Sequence, residues 1–125
     1  MQHLLRLADE KRLRIVERPG RTRGGFDPTT RTIRLSPGMS ARTTRSVLAH
    51  ELGHAELGHV PAVASRALQE RQADEWAACR LITPHAYAEA EELRGPHLAS
   101  LAFELGVTVE LVTAYQRLLR QRVIV

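Results

Sequence analysis

Cysteine occurs once in the 125 residues, at Cys79, so no internal disulfide can form and a reducing compartment is the expected setting. Cys79 itself reads as a small buried apolar residue on a helix. Aromatic residues make up 4% of the chain, and none is interleaved with the arginines as base stacking would need, which counts against nucleic-acid binding. No run of 18 apolar residues occurs, and Met1 to Val16 lacks a charged-then-apolar leader. Neither a membrane span nor a secretory signal is therefore expected, and the cytoplasm is the expected location. Repeats and low-complexity segments are missing too, and the length suits one domain, residues 1–125, with a single modest core.

Lysine is nearly absent: Lys11 stands against seventeen arginines. Met1 to Ser46 carries ten of these arginines and Lys11 against Asp9, Glu10, Glu17 and Asp27, whereas Val47 to Val125 carries seven arginines against ten acids. Such a basic front suits nucleic acid or an acidic partner surface, and suits solvated strands and turns equally well.

Against this background stands the pentad His50-Glu51-Leu52-Gly53-His54. On an α-helix, residues four apart project about 40° from one another, so both imidazoles can serve one zinc ion while Glu51 flanks them as a base for its water. A helix is expected here. Ser40 can cap it, no proline interrupts it, Val47 and Leu48 lead into Leu52 and Ala55 with helical spacing, and Gly58 followed by Pro61 supplies a stop. Gly53 costs about 1 kcal/mol against alanine inside a helix, and reads as clearance beside a metal or a neighbouring helix.

A catalytic zinc takes three protein ligands and keeps one position for water, so a third ligand must come from elsewhere. Ser65 to Leu81 contains no Gly or Pro and sets Glu70, Ala73, Asp74, Ala77 and Leu81 on one helical face. If the first helix turns through about six residues and returns antiparallel, a rise of about 1.5 Å per residue brings Glu70 level with His54 and Asp74 level with His50. Glu70 then completes a His/His/Glu site, and Asp74 accepts the other ring N–H of His50. Asp74, Glu75 and His59 remain alternatives for the third ligand.

The run His50 to His59, the block Glu70-Arg71-Gln72-Ala73-Asp74-Glu75-Trp76-Ala77-Ala78 and Leu81-Ile82-Thr83-Pro84 together resemble the ImmA/IrrE family of metallopeptidases. Gly25-Phe26-Asp27 and Thr32-Ile33-Arg34-Leu35 resemble that family's short strands, and Leu98 to Leu119 its closing helical segment. Trp76 stands where the family more often has Phe, and Thr83 where Met is common. The resemblance implies a zincin-like α+β fold, with a small antiparallel sheet near the N-terminus packed on the HExxH helix and a mostly helical C-terminal half. It also implies a zinc-dependent endopeptidase that cleaves a helix-turn-helix repressor of phage, mobile-element or stress-response genes. His50, Glu51, His54 and Glu70 match the zinc and base positions, and the Glu70/Asp74 spacing is similar to the ligand-plus-support pair of thermolysin-like peptidases.

Elsewhere, Gln2 to Lys11 reads as a short amphipathic helix, with strands at Leu13 to Glu17, around the Gly24-Gly25 punctuation, and at Arg31 to Leu35. An edge of this sheet near the metal helix is expected to hold an extended substrate by strand addition, with Ile33 on the strand concerned. Helices follow from Pro84 through His85 to Leu93, from Leu98 to Leu105, and from Thr108 to Arg122. Leu98, Leu101, Ala102, Leu105, Val109, Val112, Tyr115, Leu118 and Leu119 are the core candidates of the last two. That final pair has helix-turn-helix character, but Val109-Glu110-Leu111-Val112 offers little for base edges, so packing on the metal helices is the expected role. His85, His97 or Tyr87 is a candidate to stabilise an oxyanion.

Three rival readings are kept. One is a non-cleaving peptidase-like module that binds a repressor or antitoxin. A deformylase-like hydrolase is disfavoured because the only cysteine lies downstream of the motif. A DNA-dependent protease of the SprT-like kind rests on the basic front alone.

Overall fold

The computed structural model describes residues 1–124; Val125, which the expected domain 1–125 includes, lies outside the described residues. The chain begins with helix α1 (Gln2–Glu10), whose apolar stripe buries Leu4 and Ala8. Three short strands follow, β1 (Arg14–Glu17), β2 (Gly24–Asp27) and β3 (Thr32–Leu35). Five helices complete the fold: α2 (Ala41–Glu56), α3 (Arg66–Leu81), α4 (Pro84–Arg94), α5 (Leu98–Leu105) and α6 (Val109–Ile124), with a 3₁₀ turn at Val63–Ser65 leading into α3.

The α+β class and the helical C-terminal half agree with the sequence reading, but the sheet is mixed rather than antiparallel. Its order is β1-β3-β2, with β3 parallel to β1 and antiparallel to β2. The cause lies in the loop between β1 and β2. It carries the chain past the central position, which β3 then fills after the hairpin turn. Arg34 holds that loop: its guanidinium donates to the carbonyls of Arg18 at 2.9 Å and Thr22 at 2.7 Å, and to the Thr22 hydroxyl at 2.8 Å. Gly20 lies flat on the same guanidinium, where an added Cβ would stand 2.7 Å from Arg34 Cζ.

Ser40 caps α2 as its sequence suggests, its hydroxyl accepting the Thr43 amide at 3.2 Å. Thr83 caps α4 in the same way, with Pro84 in the first turn where its missing N–H costs nothing. Both faces of α2 are used. It packs on the sheet and, on its other side, on the antiparallel-returning α3, with Leu48 and Leu52 fully buried between the layers. Burial of each such leucine contributes about 1.5–3 kcal/mol. One apolar cluster runs from Leu4 and Ile33 through Leu48, Leu52, Ala77 and Ile82 to Leu101, Leu111 and Tyr115.

The turn between α5 and α6 is fastened to α2. Arg45 donates to the Gly106 carbonyl at 2.9 Å, and the buried Ser46 hydroxyl accepts the Thr108 amide at 3.1 Å. Helix α6 lies along α3, where Arg117 donates to Glu75 at 2.9 Å, so of the two metal-motif helices expected to receive it, the last helix packs on α3, while the turn before it is tied to α2. Val109, an expected core residue, is 40% exposed, because Leu111, Val112, Ala114 and Tyr115 form the inward face. Cys79 is exposed rather than buried, since Ala77 and Ala78 take the inward positions of that turn of α3. Among the described residues no single helix is long and apolar enough to cross a membrane.

Candidate metal centre

Helices α2 and α3 can lie close because Gly53 has no side chain. A Cβ there would stand 3.0 Å from the Ala73 carbonyl oxygen and 3.2 Å from Ala73 Cα. The clearance expected at this glycine therefore serves the neighbouring helix. The close approach sets the α3 carboxylates opposite the α2 imidazoles.

The Nε2 atoms of His50 and His54 are 3.1 Å apart. The two carboxylate oxygens of Glu70 lie 2.9 Å from His50 Nε2 and 3.0 Å from His54 Nε2. Asp74 Oδ1 lies 2.7 Å from His50 Nδ1, on the opposite side of that ring. Glu51, His50 and His54 also offer ligand atoms within 4.8 Å of one another.

This donor set fits a divalent metal. Nitrogen and oxygen donors about 2.0–2.1 Å from a tetrahedral zinc stand about 3.3 Å from each other. The Nε2–Nε2 and Nε2–carboxylate separations approach those edges without rearrangement. Asp74, as a carboxylate, accepts the His50 Nδ1 proton and leaves Nε2 as the lone-pair donor.

Charge and burial divide the roles further. Glu51 is only 6% exposed, and burial pushes its carboxyl up to about 7, with His50 opposing the shift and Glu70 adding to it. Burial alone would lower the His50 pKa, but the Asp74 hydrogen bond and the surrounding carboxylates outweigh it and leave the value raised. His54 is lowered, by burial first and by His50 next.

The remaining candidates lie elsewhere. Glu75 is taken up by Arg117, so it does not turn toward the imidazoles. His59 Nδ1 stands 2.9 Å from His54 Nδ1, behind the ring rather than among the Nε2 atoms. Tyr87 is buried, its hydroxyl accepting from Gln116 at 3.0 Å. His85 faces solvent beside Glu89, and His97 caps α5. None of these three lines the cleft around Glu51.

Strand β2 forms the wall opposite the helices. The Arg23 carbonyl accepts the Ser36 amide at 2.9 Å, so by antiparallel alternation Gly24 and Phe26 turn their amide groups to the free side of the strand. Gly24 is pressed against the site: an added Cβ would stand 2.6 Å from Val47 Cγ1 and 3.2 Å from Glu51 Oε2. The edge expected to border the metal helix is thus β2, and the β3 residue Ile33 is fully buried in the central strand. Sequence reading marked Gly24-Gly25 only as punctuation. A glycine pair directly before Phe26-Asp27 was the available signal for a strand that needs close approach.

Two cavities meet at Glu51 and Glu70. The smaller, about 190 Å³, includes Arg23, Ser46, Asp74, Thr108 and Glu110 beside Val47 and Leu111. The larger, about 780 Å³, runs under the loop between α2 and α3 past Phe26, Pro61, Val63 and Arg66. Arg23 and Glu110 form an ion pair at 2.9 Å at the smaller end, a contact that joins β2 to the start of α6 and that sequence spacing could not reveal.

Paired helical imidazoles faced by carboxylates on a neighbouring helix are the arrangement of a metallopeptidase-like protein. Residues 9–115 match the family described as Peptidase_M78, IrrE N-terminal-like domain, and the chain belongs to that family, in agreement with the ImmA/IrrE resemblance of its motifs. No curated protein matches the chain.

Proposed function

We propose that this protein is a zinc-dependent endopeptidase, with His50, His54 and Glu70 as metal ligands, Asp74 bracing His50 and Glu51 as general base. The convergence of both Nε2 atoms and the Glu70 carboxylate beside the buried Glu51 carries this reading. A zinc ion held there supplies Lewis acidity toward a peptide carbonyl and toward water. Glu51 takes the proton of the attacking water and passes it to the leaving amine, a task suited to a carboxyl whose pKa lies near neutrality. Asp74 keeps the His50 proton on Nδ1 throughout. The free side of β2 supports strand addition, in which the Gly24 and Phe26 amide groups align an extended segment between the two cavities.

The substrate in this proposal is a cytoplasmic protein of the helix-turn-helix repressor class. The buried, pKa-shifted Glu51 favours cleavage over a module that only binds, since a binding surface has no use for it. The test is mass spectrometry for new termini after the zinc-loaded protein is mixed with a candidate repressor. Wild type should generate discrete new termini and Glu51→Gln none, while Glu51→Gln keeps its zinc. Equal cleavage by both would overturn the assignment.

A further inference from the structure

The two candidate imidazoles are supported differently. His50 leans on the Asp74 carboxylate at 2.7 Å, whereas among the described residues the partner on the Nδ1 side of His54 is His59 Nδ1 at 2.9 Å. His59 Nε2 in turn stands 2.8 Å from Gln72 Oε1. We infer that His59 and Gln72 form a hydrogen-bonded relay that fixes the tautomer of His54, making both positioning residues for the metal site. This rests on the His/His/Glu reading of that site.

The direction of the relay follows from the atoms. A carboxamide oxygen only accepts, so His59 Nε2 carries a proton and donates it to Gln72. With its proton on Nε2, His59 offers the Nδ1 lone pair to the His54 Nδ1 proton. His54 Nε2 is left unprotonated on the side where Glu70 and His50 Nε2 converge. The reverse direction, with His59 Nδ1 donating to His54, would put the His54 lone pair on Nδ1 and leave its Nε2 protonated and unable to take a metal.

A relay without a carboxylate also suits the charge of the site. Glu51, Glu70 and Asp74 already crowd it with carboxylates, and a fourth beside His54 would push Glu51 further toward its protonated form. Position matters as well: His59 follows Gly58 at the start of the α2–α3 loop and Gln72 sits on α3, so the relay ties that loop to both helices.

The test combines zinc affinity, by competition with a chromophoric chelator, with nitrogen-15 imidazole NMR of the metal-free protein. His59→Ala and Gln72→Ala should weaken zinc binding about tenfold or more and shift metal-free His54 from the Nδ1–H toward the Nε2–H form, which Glu70 Oε1 at 3.0 Å favours, with the metal-free melting temperature nearly unchanged. His59→Asn puts a carbonyl acceptor where Nδ1 stands and should restore affinity to within a few-fold of wild type. Unchanged affinity and tautomer in His59→Ala would overturn the inference. So would loss in His59→Asn as deep as in His59→Ala, which would show that an acceptor at that place does not hold His54. Undiminished zinc binding by His50→Ala would instead reject the underlying site, a result separable from either.

Discussion

Burial puts a cost on Glu51 that the metal-free protein should reveal. The folded carboxyl holds its proton up to about 7 against an ordinary value of 4.5. Its contribution to stability is therefore complete below pH 4.5 and is lost as the pH rises toward and through 7. The shift corresponds to about 3 kcal/mol at alkaline pH. Glutamine cannot ionise, so metal-free Glu51→Gln should be more stable than wild type at pH 8, by up to that amount, with the gap closing below pH 5. Chemical denaturation at both pH values measures it, and a pH-independent gap would contradict the buried-carboxyl account. The placement of these side chains was largely legible in the sequence, because helical period alone sets His50, Glu51 and His54 together, and an antiparallel return sets Glu70 and Asp74 opposite. Cys79 was not, because a small residue on an alanine-rich helix carries no mark of which face it takes.

At the level of elements, the contact between α2 and α3 decides whether the donors converge. Gly53→Ala gains about 1 kcal/mol of helix propensity. The added methyl would meet backbone atoms of Ala73, which cannot swing aside as a side chain can. Overpacking of this kind costs about 1–3 kcal/mol, so Gly53→Ala should destabilise the fold on balance and weaken zinc binding as α3 is pushed away. A more stable variant with intact affinity would show that the helices need no such approach. The helices were readable from caps, prolines and period, with Ser40, Thr83 and Pro84 each marking a terminus. Sheet order was not, since strands of four residues carry alternation but no statement of their neighbours. The Arg34 contacts that hold the Arg18–Thr22 loop across the sheet join residues 12–16 apart and leave no mark in that alternation. The ends of the long helices were similarly clear, while the Arg23–Glu110 contact across the cleft joins residues 87 apart in the chain and leaves no local trace.

Across the whole molecule, part of the basic front is structural. Arg23 pairs with Glu110, Arg31 donates to the Lys11 carbonyl, Arg34 holds the loop before β2, and Arg45 fastens the α5–α6 turn. These four arginines serve the fold directly, so a duplex DNA titration should show affinity no tighter than the non-specific range of about 10⁻⁴–10⁻⁶ M at physiological salt. Nanomolar binding would instead revive the DNA-dependent reading. Zinc, by contrast, should stabilise the entire fold, because sheet, α2, α3 and α6 share one core. At 100 times its dissociation constant the gain is about 2.7 kcal/mol, and thermal melts of His50→Ala should show none of it. Crystals of the zinc-loaded protein measured across the zinc absorption edge give the most direct test. The account predicts one anomalous peak about 2.0–2.2 Å from His50 Nε2, His54 Nε2 and a Glu70 oxygen, with Glu51 outside ligand distance. A peak bound by Glu51 in place of Glu70, or enclosed by four protein atoms, would contradict it.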